Sequence, residues 1–235
     1  MTDTTTLTAS QTKEVETLFN LGAHLGHKKN RLHPKAKKHV YKMINGASVI
    51  DLSLTVKELE HAKNALTEAA KEGKSILLVA TKKVAAQFAA ELCKTNSIPS
   101  VTTKWLPGLL TNFDTIIKNV NQLRKLQEEK TTGEWEKYVK HERTQIDKKI
   151  SRLTKFYGGL LLLDKKPDIM IVIDIRKEKN AIDEATSFNI PVVGLVDTNA
   201  DPMLVKYPIV ANDDASVVVE YILTELVNAY VEGKK

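Results

Sequence analysis

Three short runs leave few folds open to this chain. Residues 75–80 read SILLVA, 168–174 read DIMIVID, and 190–197 read IPVVGLVD. Each is apolar without alternation, so a strand built from it must be covered on both faces. The segments between them have helical spacing: Val56, Leu59, Ala62 and Leu66 within 53–72, then 82–95, then about 178–188. SVIDL (48–52), PSVTTKW (99–105) and YPIVA (207–211) supply further strands, and 214–231 a last helix. This alternation predicts right-handed crossovers and an α/β domain, a doubly wound parallel sheet flanked by helices.

Two segments depart from the rhythm. From Ser10, read as an N-cap, Val15, Leu18, Phe19 and Leu21 mark a short helix ending at Gly22, after a Thr-rich tail (1–9) expected to be disordered. Within 111–157, Ile116, Val120 and Leu123 mark one helix. Trp135, Val139, Ile146, Ile150, Leu153 and Tyr157 mark a second, with Thr131-Thr132-Gly133 as the turn. The near-heptad spacing predicts an antiparallel, coiled-coil-like hairpin inserted into the α/β domain (10–110 and 158–231). Its charged faces suit solvent, or an RNA or protein contact.

Function is read first from the charge. Between Gly22 and Ile50 stand seven Lys/Arg and no Asp or Glu, while the remainder carries 28 bases against 29 acids. The whole net charge of +6 therefore sits in one stretch, GAHLGHKKNRLHPKAKKHVY (22–41), which Gly22, Gly26 and Pro34 mark as a loop. It holds four of the six histidines: His24, His27, His33 and His39. A zinc site would need the loop to fold back, has no nearby Cys or acid, and faces six cations. A catalytic loop would need a nucleophile or a carboxylate such as Asp51 brought in from elsewhere. A solvated loop would normally mix both signs. A polyanion grip uses what is present: cations for phosphate, and histidine and Tyr41 as donors and ring faces.

Other stretches carry weaker signals. Thr81-Lys82-Lys83 follows a strand and opens a helix, where Thr81 is placed to cap and free N–H groups to meet a phosphate. Lys104-Trp105-Leu106-Pro107-Gly108 predicts a type II turn, with Trp105 in the core. Lys104 and Asn112 fall near the C-terminal edge of the sheet, where α/β domains bind ligands. Asp197, Asn199 and Asp201 suit a turn bonded to its own backbone, and Asn212, Asp213 and Asp214 a capped start for the last helix. No G-x-G-x-x-G, Walker-type or G-x-S-x-G fingerprint occurs. The single cysteine, Cys93, can form no internal disulfide. MTDTTTLTAS has neither a basic nor an apolar signal region, and no run is long enough to span a bilayer.

LFNLGAHLGH (18–27), HPKAKKHVY (33–41), VIDL (49–52), ATKK (80–83), KWLPGLLTN (104–112), GGLLLLDKKPDIMIVID (158–174), IPVVGLVDTNADP (190–202) and NDDA (212–215) occur in one order. Together they resemble the bacterial-type protein S-two family of the small ribosomal subunit. The resemblance implies a Rossmann-like or flavodoxin-like domain with a protruding helical hairpin. It implies a non-enzymatic, cytoplasmic ribosome component, with no metal, cofactor or membrane. Its partners would be small-subunit rRNA, on the solvent side between head and body, and neighbouring proteins including the mRNA-holding S-one protein. The rRNA contacts it implies are His24, His27, Lys28, Lys29, Arg31, Lys35, Lys37 and Lys38, then Lys82, Lys83, Lys104 and Asn112. Leu32-His33 and Pro107 depart from the family's usual residues. The rival readings are an α/β enzyme, dependent on a metal or phosphate ligand, that uses Asp174, Asp197 and Asp201, and a protein adaptor that works through the hairpin.

Overall fold

The apolar runs form the centre of the molecule. The computed structural model describes residues 8–133, 135 and 139–234. In chain order it contains α1 (Ala9–Leu21), β1 (Leu25–Lys28), β2 (Val40–Ile44), β3 (Ala47–Ile50), α2 (Leu52–Lys71), β4 (Ile76–Val79), α3 (Lys83–Thr95) and β5 (Ser100–Val101). There follow α4 (Phe113–Thr131), α5 (Lys140–Tyr157), β6 (Ile169–Ile173), α6 (Lys179–Ser187), β7 (Val192–Val196), β8 (Tyr207–Val210) and α7 (Ser216–Gly233). Five strands form a parallel sheet in the order β5-β4-β6-β7-β8. The chain steps outward from β4 to β5, then returns to the far side of β4 for β6. This is the flavodoxin-like order, with its switch point between β4 and β6.

The strand residues alternate between two cores. Ile76, Leu78, Ile169, Ile171 and Ile173 pack with α2, α3 and α7, while Leu77, Val79, Met170 and Val172 pack with Leu109, Leu110, Ile116 and the apolar side of α6. Every residue of β4, β6 and β7 is buried. At about 1.5–3 kcal/mol for each fully buried aliphatic side chain, these strands supply much of the driving force for the fold.

Several boundaries differ from the sequence expectation. Residues 1–7 of the expected tail lie outside the described residues, and Thr8 and Ala9 are ordered. Thr8, not Ser10, caps α1 through a reciprocal bond with Gln11. The basic stretch is not a plain loop. β1 and β2 both pair antiparallel with β3, so SVIDL belongs to a separate three-stranded sheet rather than to the parallel one. PSVTTKW keeps ladder bonds only at Ser100–Val101. Trp135 is buried and Val139 exposed, both ahead of α5, which begins at Lys140.

The helices α4 and α5 lie antiparallel, as two rungs with opposite numbering show: Lys130 to Asp147 at 2.7 Å and Asn119 to the Tyr157 hydroxyl at 3.1 Å. Gly133, with φ +77°, follows α4. The root of the pair is pinned to the sheet. Arg124 donates to the Leu161 carbonyl and to Asp164, and Gly159 packs so closely that a Cβ there would lie 2.1 Å from the Ser100 carbonyl oxygen. Among the described residues no helix is long and apolar enough to cross a membrane.

Candidate nucleic-acid interface

In a parallel sheet the loops after every strand emerge at one edge, and here that edge carries the charged residues. The small antiparallel sheet docks onto it. Gly26 makes the approach possible: a Cβ there would lie 2.6 Å from Ser48 Oγ and 2.8 Å from Thr198 Cγ2. The backbone N–H of His27 donates to Thr198 Oγ1 (2.9 Å), and that of His33 donates to the Thr198 carbonyl (2.8 Å). One threonine after β7 therefore holds both ends of the first half of the basic stretch.

The four histidines each make contacts within the protein. His27 Nδ1 is 2.8 Å from Asp197 Oδ2, and Asn199 lies 3.0 Å from its Nε2. His24 stacks on Phe19 with ring centroids 4.3 Å apart. His33 accepts from the Lys35 N–H and caps a two-turn 3-10 helix, Pro34–His39. His39 is 3% exposed, and its Nε2 meets Glu58 at 2.7 Å. The other oxygen of Glu58 accepts from the Val210 N–H (3.0 Å), which ties the end of the basic stretch to β8. Asp51, a possible catalytic partner by sequence, caps α2 by accepting from Ser53.

The cations face outward. Lys28, Lys29, Arg31, Lys35, Lys37 and Lys38 are all exposed. Only Lys35 has a carboxylate partner among the described residues, Asp201 at 2.7 Å. Lys28 and Arg31 also line a cleft of about 670 Å³ whose far wall carries Asp197, Asn212 and Asp214.

Lys82, expected to meet phosphate, is turned into the protein. Its Nζ lies 2.7 Å from Asp213, 2.6 Å from Asp214 and 3.5 Å from Asp174, which gathers the loops after β4, β6 and β8 at the switch point. Burial alone would lower its ammonium, but the hydrogen bonds to Asp213 and Asp214 outweigh it and hold Lys82 above the usual lysine range. The bond to Lys82 keeps Asp214 below the usual carboxylate range. Asp213, 2% exposed, is pushed up to about 7 by burial and by the neighbouring charges of Asp174 and Asp197, against the pull of Lys82. These acids do not form the local cap read from the sequence. Ala215 occupies the N-cap of α7 without a side-chain bond. Nor does Thr81 cap α3, because its hydroxyl donates to buried Glu178. Lys83 is exposed beside this cluster.

The Lys104–Asn112 segment is shaped by a residue that the sequence reading missed. Leu109 N–H donates to the Leu106 carbonyl (3.0 Å) and Gly108 has φ +91°, as a Pro-Gly type II turn requires. Glu184 of α6 then accepts from Trp105 Nε1 (3.0 Å) and the N–H groups of Gly108 (2.8 Å), Leu110 (2.9 Å) and Thr111 (3.2 Å). Burial would raise this carboxyl, but the four donors leave it below its usual range. Trp105 is core, and Lys104 and Asn112 are exposed at the two ends of the segment. Only the expectation of a sheet-edge ligand site hinted that 104–112 would need an acceptor.

His27, Asp197 and Asp214 each place one ligand atom within 4.8 Å of the others, a spacing that could hold a cation. His27 Nδ1 already lies 2.8 Å from Asp197, and Lys82 Nζ 2.6 Å from Asp214. The chemistry of the edge as a whole is an outward basic surface braced by inward ion pairs.

A family model described as "Ribosomal protein S2" matches residues 18–233. The small ribosomal subunit protein uS2 of Dictyoglomus thermophilum is 39% identical over 92% of this chain and 88% of its own length. That of Gloeobacter violaceus is 41% identical over 92% of this chain and 79% of its own. That of Helicobacter acinonychis is 38% identical over 93% and 89%.

Proposed function

The chain belongs to the ribosomal protein S2 family, and on that premise we propose that it is a structural constituent of the small ribosomal subunit that grips rRNA through residues 28–38. One observation carries this reading. Lys28, Lys29, Arg31, Lys37 and Lys38 are exposed and form no ion pair among the described residues. The acids near that segment are bound instead to His27, Lys35, His39 and Lys82. The free cations act as point charges for phosphate. His24 and His27 position the segment rather than touch RNA, and Lys82 braces the edge. Lys83, Lys104 and Asn112 flank it as further contacts.

The chain is not an enzyme. Its relatives are ribosomal proteins, and the three acids an enzyme would use are committed. Asp174 accepts from the Lys177 N–H, Asp197 from His27 and Thr198, and Asp201 from Lys35 and Met203. We extend the reading to a seat on the solvent side between head and body, in the cytoplasm, with the hairpin of 111–157 as an inserted, projecting unit. We also extend it to docking of the S-one protein. The resemblance of the motifs supports the seat. An exposed apolar cleft beside Phe19, Leu25, Tyr41 and Ile44 supports a protein partner.

Gradient sedimentation of a lysate containing the tagged protein tests the proposal. The expected result is comigration with small subunits, lost when the cations of 28–38 are changed to Ala. Wild-type protein confined to the soluble fraction would contradict it.

A further inference from the structure

A second basic surface lies away from residues 28–38, at the root of the helical hairpin. From Lys148 to Leu163 the chain carries Lys148, Lys149, Arg152 and Lys155 and no acid. Elsewhere on the hairpin, Arg124, Lys125 and Lys130 are each paired with a carboxylate. Lys149 and Arg152 have no such partner among the described residues. They share one face of α5 with Phe156, at spacings of three and four. That face closes a cavity of about 460 Å³ against Leu106 and Asn119. Phe156 and Tyr157 are half-buried in its wall, and Asn119 donates to the Tyr157 hydroxyl.

Unpaired cations at the mouth of an apolar slot with a ring in its wall match a nucleotide, which has an anionic end and a flat apolar body. An acidic peptide would use the cations but leave the slot unfilled. The volume falls within the range of about 300–1,000 Å³ usual for small-ligand sites. The geometry points to a second RNA contact, resting on the RNA-binding reading above. One unstacked nucleotide of single-stranded RNA enters the cavity, with its phosphate on Lys149 and Arg152 and its base against Phe156. The hairpin root then reads single-stranded RNA, while residues 28–38 hold phosphates of any RNA.

Fluorescence anisotropy of the full-length protein, with a labelled single-stranded oligoribonucleotide of mixed sequence and its duplex, tests this. Phe156→Leu should weaken single-strand binding by about 5- to 150-fold, the range for loss of one base–aromatic stack, and leave duplex binding within about twofold. Lys149→Glu with Arg152→Glu alters only exposed side chains, so the fold is kept and circular dichroism should be unchanged. It should weaken single-strand binding and reduce the salt slope by about 0.7, for the one phosphate that the two cations hold. Lys28→Ala with Lys29→Ala and Arg31→Ala separates the two claims. If only that variant loses affinity, the RNA reading stands and the hairpin site is overturned. If only the hairpin variants do, the hairpin site stands and the reading of 28–38 fails. A wild-type protein that binds neither RNA overturns both.

Discussion

Glu184→Ala removes the acceptor shared by Trp105, Gly108, Leu110 and Thr111. Trp105 is 5% exposed and Leu110 0%, so their donors lose a partner that water cannot replace, whereas Thr111 is exposed and rehydrates. At about 1–3 kcal/mol per stranded buried donor, two donors cost about 2–6 kcal/mol, and the open side of the turn favours the lower half. A loss of about 3 kcal/mol, with a urea m-value near 3 kcal/mol/M, moves the midpoint down by about 1 M. Trp105 fluorescence reports the transition from inside the affected segment. The pH dependence has a fixed sign. The folded carboxyl is held below its usual range, so its contribution is present above the unfolded value of about 4.3 and fades as pH falls through the folded one. The gap between wild type and variant should therefore be full at pH 7 and narrow below about pH 4. A midpoint within about 0.2 M of wild type at pH 7 would refute the claim that Glu184 organises 104–112.

Lys82→Met leaves Asp213, Asp214 and Asp174 without their shared cation. Removal of one partner from a buried pair costs about 3–5 kcal/mol, seen in thermal or urea melts. The salt slope of RNA binding should stay unchanged, because Lys82 faces inward. Asp213, with a folded value raised to about 7, destabilises the fold progressively as pH rises from about 4 through 7. Asp213→Asn should flatten that part of the stability–pH curve. Gly26→Ala should lift β1 from Thr198 and Ser48 and cost about 1–3 kcal/mol, an overpacking penalty read by urea melts.

The sequence displayed the parallel sheet because its strands are buried on both faces, so ILLV, IMIVI and VVGLV carry no polar residue to confuse the reading. The antiparallel sheet was hidden for the opposite reason. Its strands are four or five residues long, and β2 exposes Tyr41, Lys42, Met43 and Ile44, so no alternation marks a core face. The location of the outward cations was legible from the absence of acids between Gly22 and Ile50. Their bracing was not. His27 meets Asp197 and Lys82 meets Asp213 across more than a hundred residues, and a single sequence carries no signal for such pairs. The acids of VDTNADP and NDDA were expected to bond their own backbone, and some do: Asp197 accepts from Thr198, Asp201 from Met203. The remaining oxygens are what the basic stretch and Lys82 bind.

The central claim is that exposed cations of 28–38 neutralise RNA phosphates. The most direct measurement is the salt dependence of binding between the purified protein and small-subunit rRNA. The five of these cations without a carboxylate partner among the described residues predict a log–log slope of about −3.5 to −4.5, at about 0.7–0.9 per phosphate. Changing Lys28, Lys29, Arg31, Lys35, Lys37 and Lys38 to Ala should remove most of that slope. An unchanged slope in the substituted protein would contradict the account.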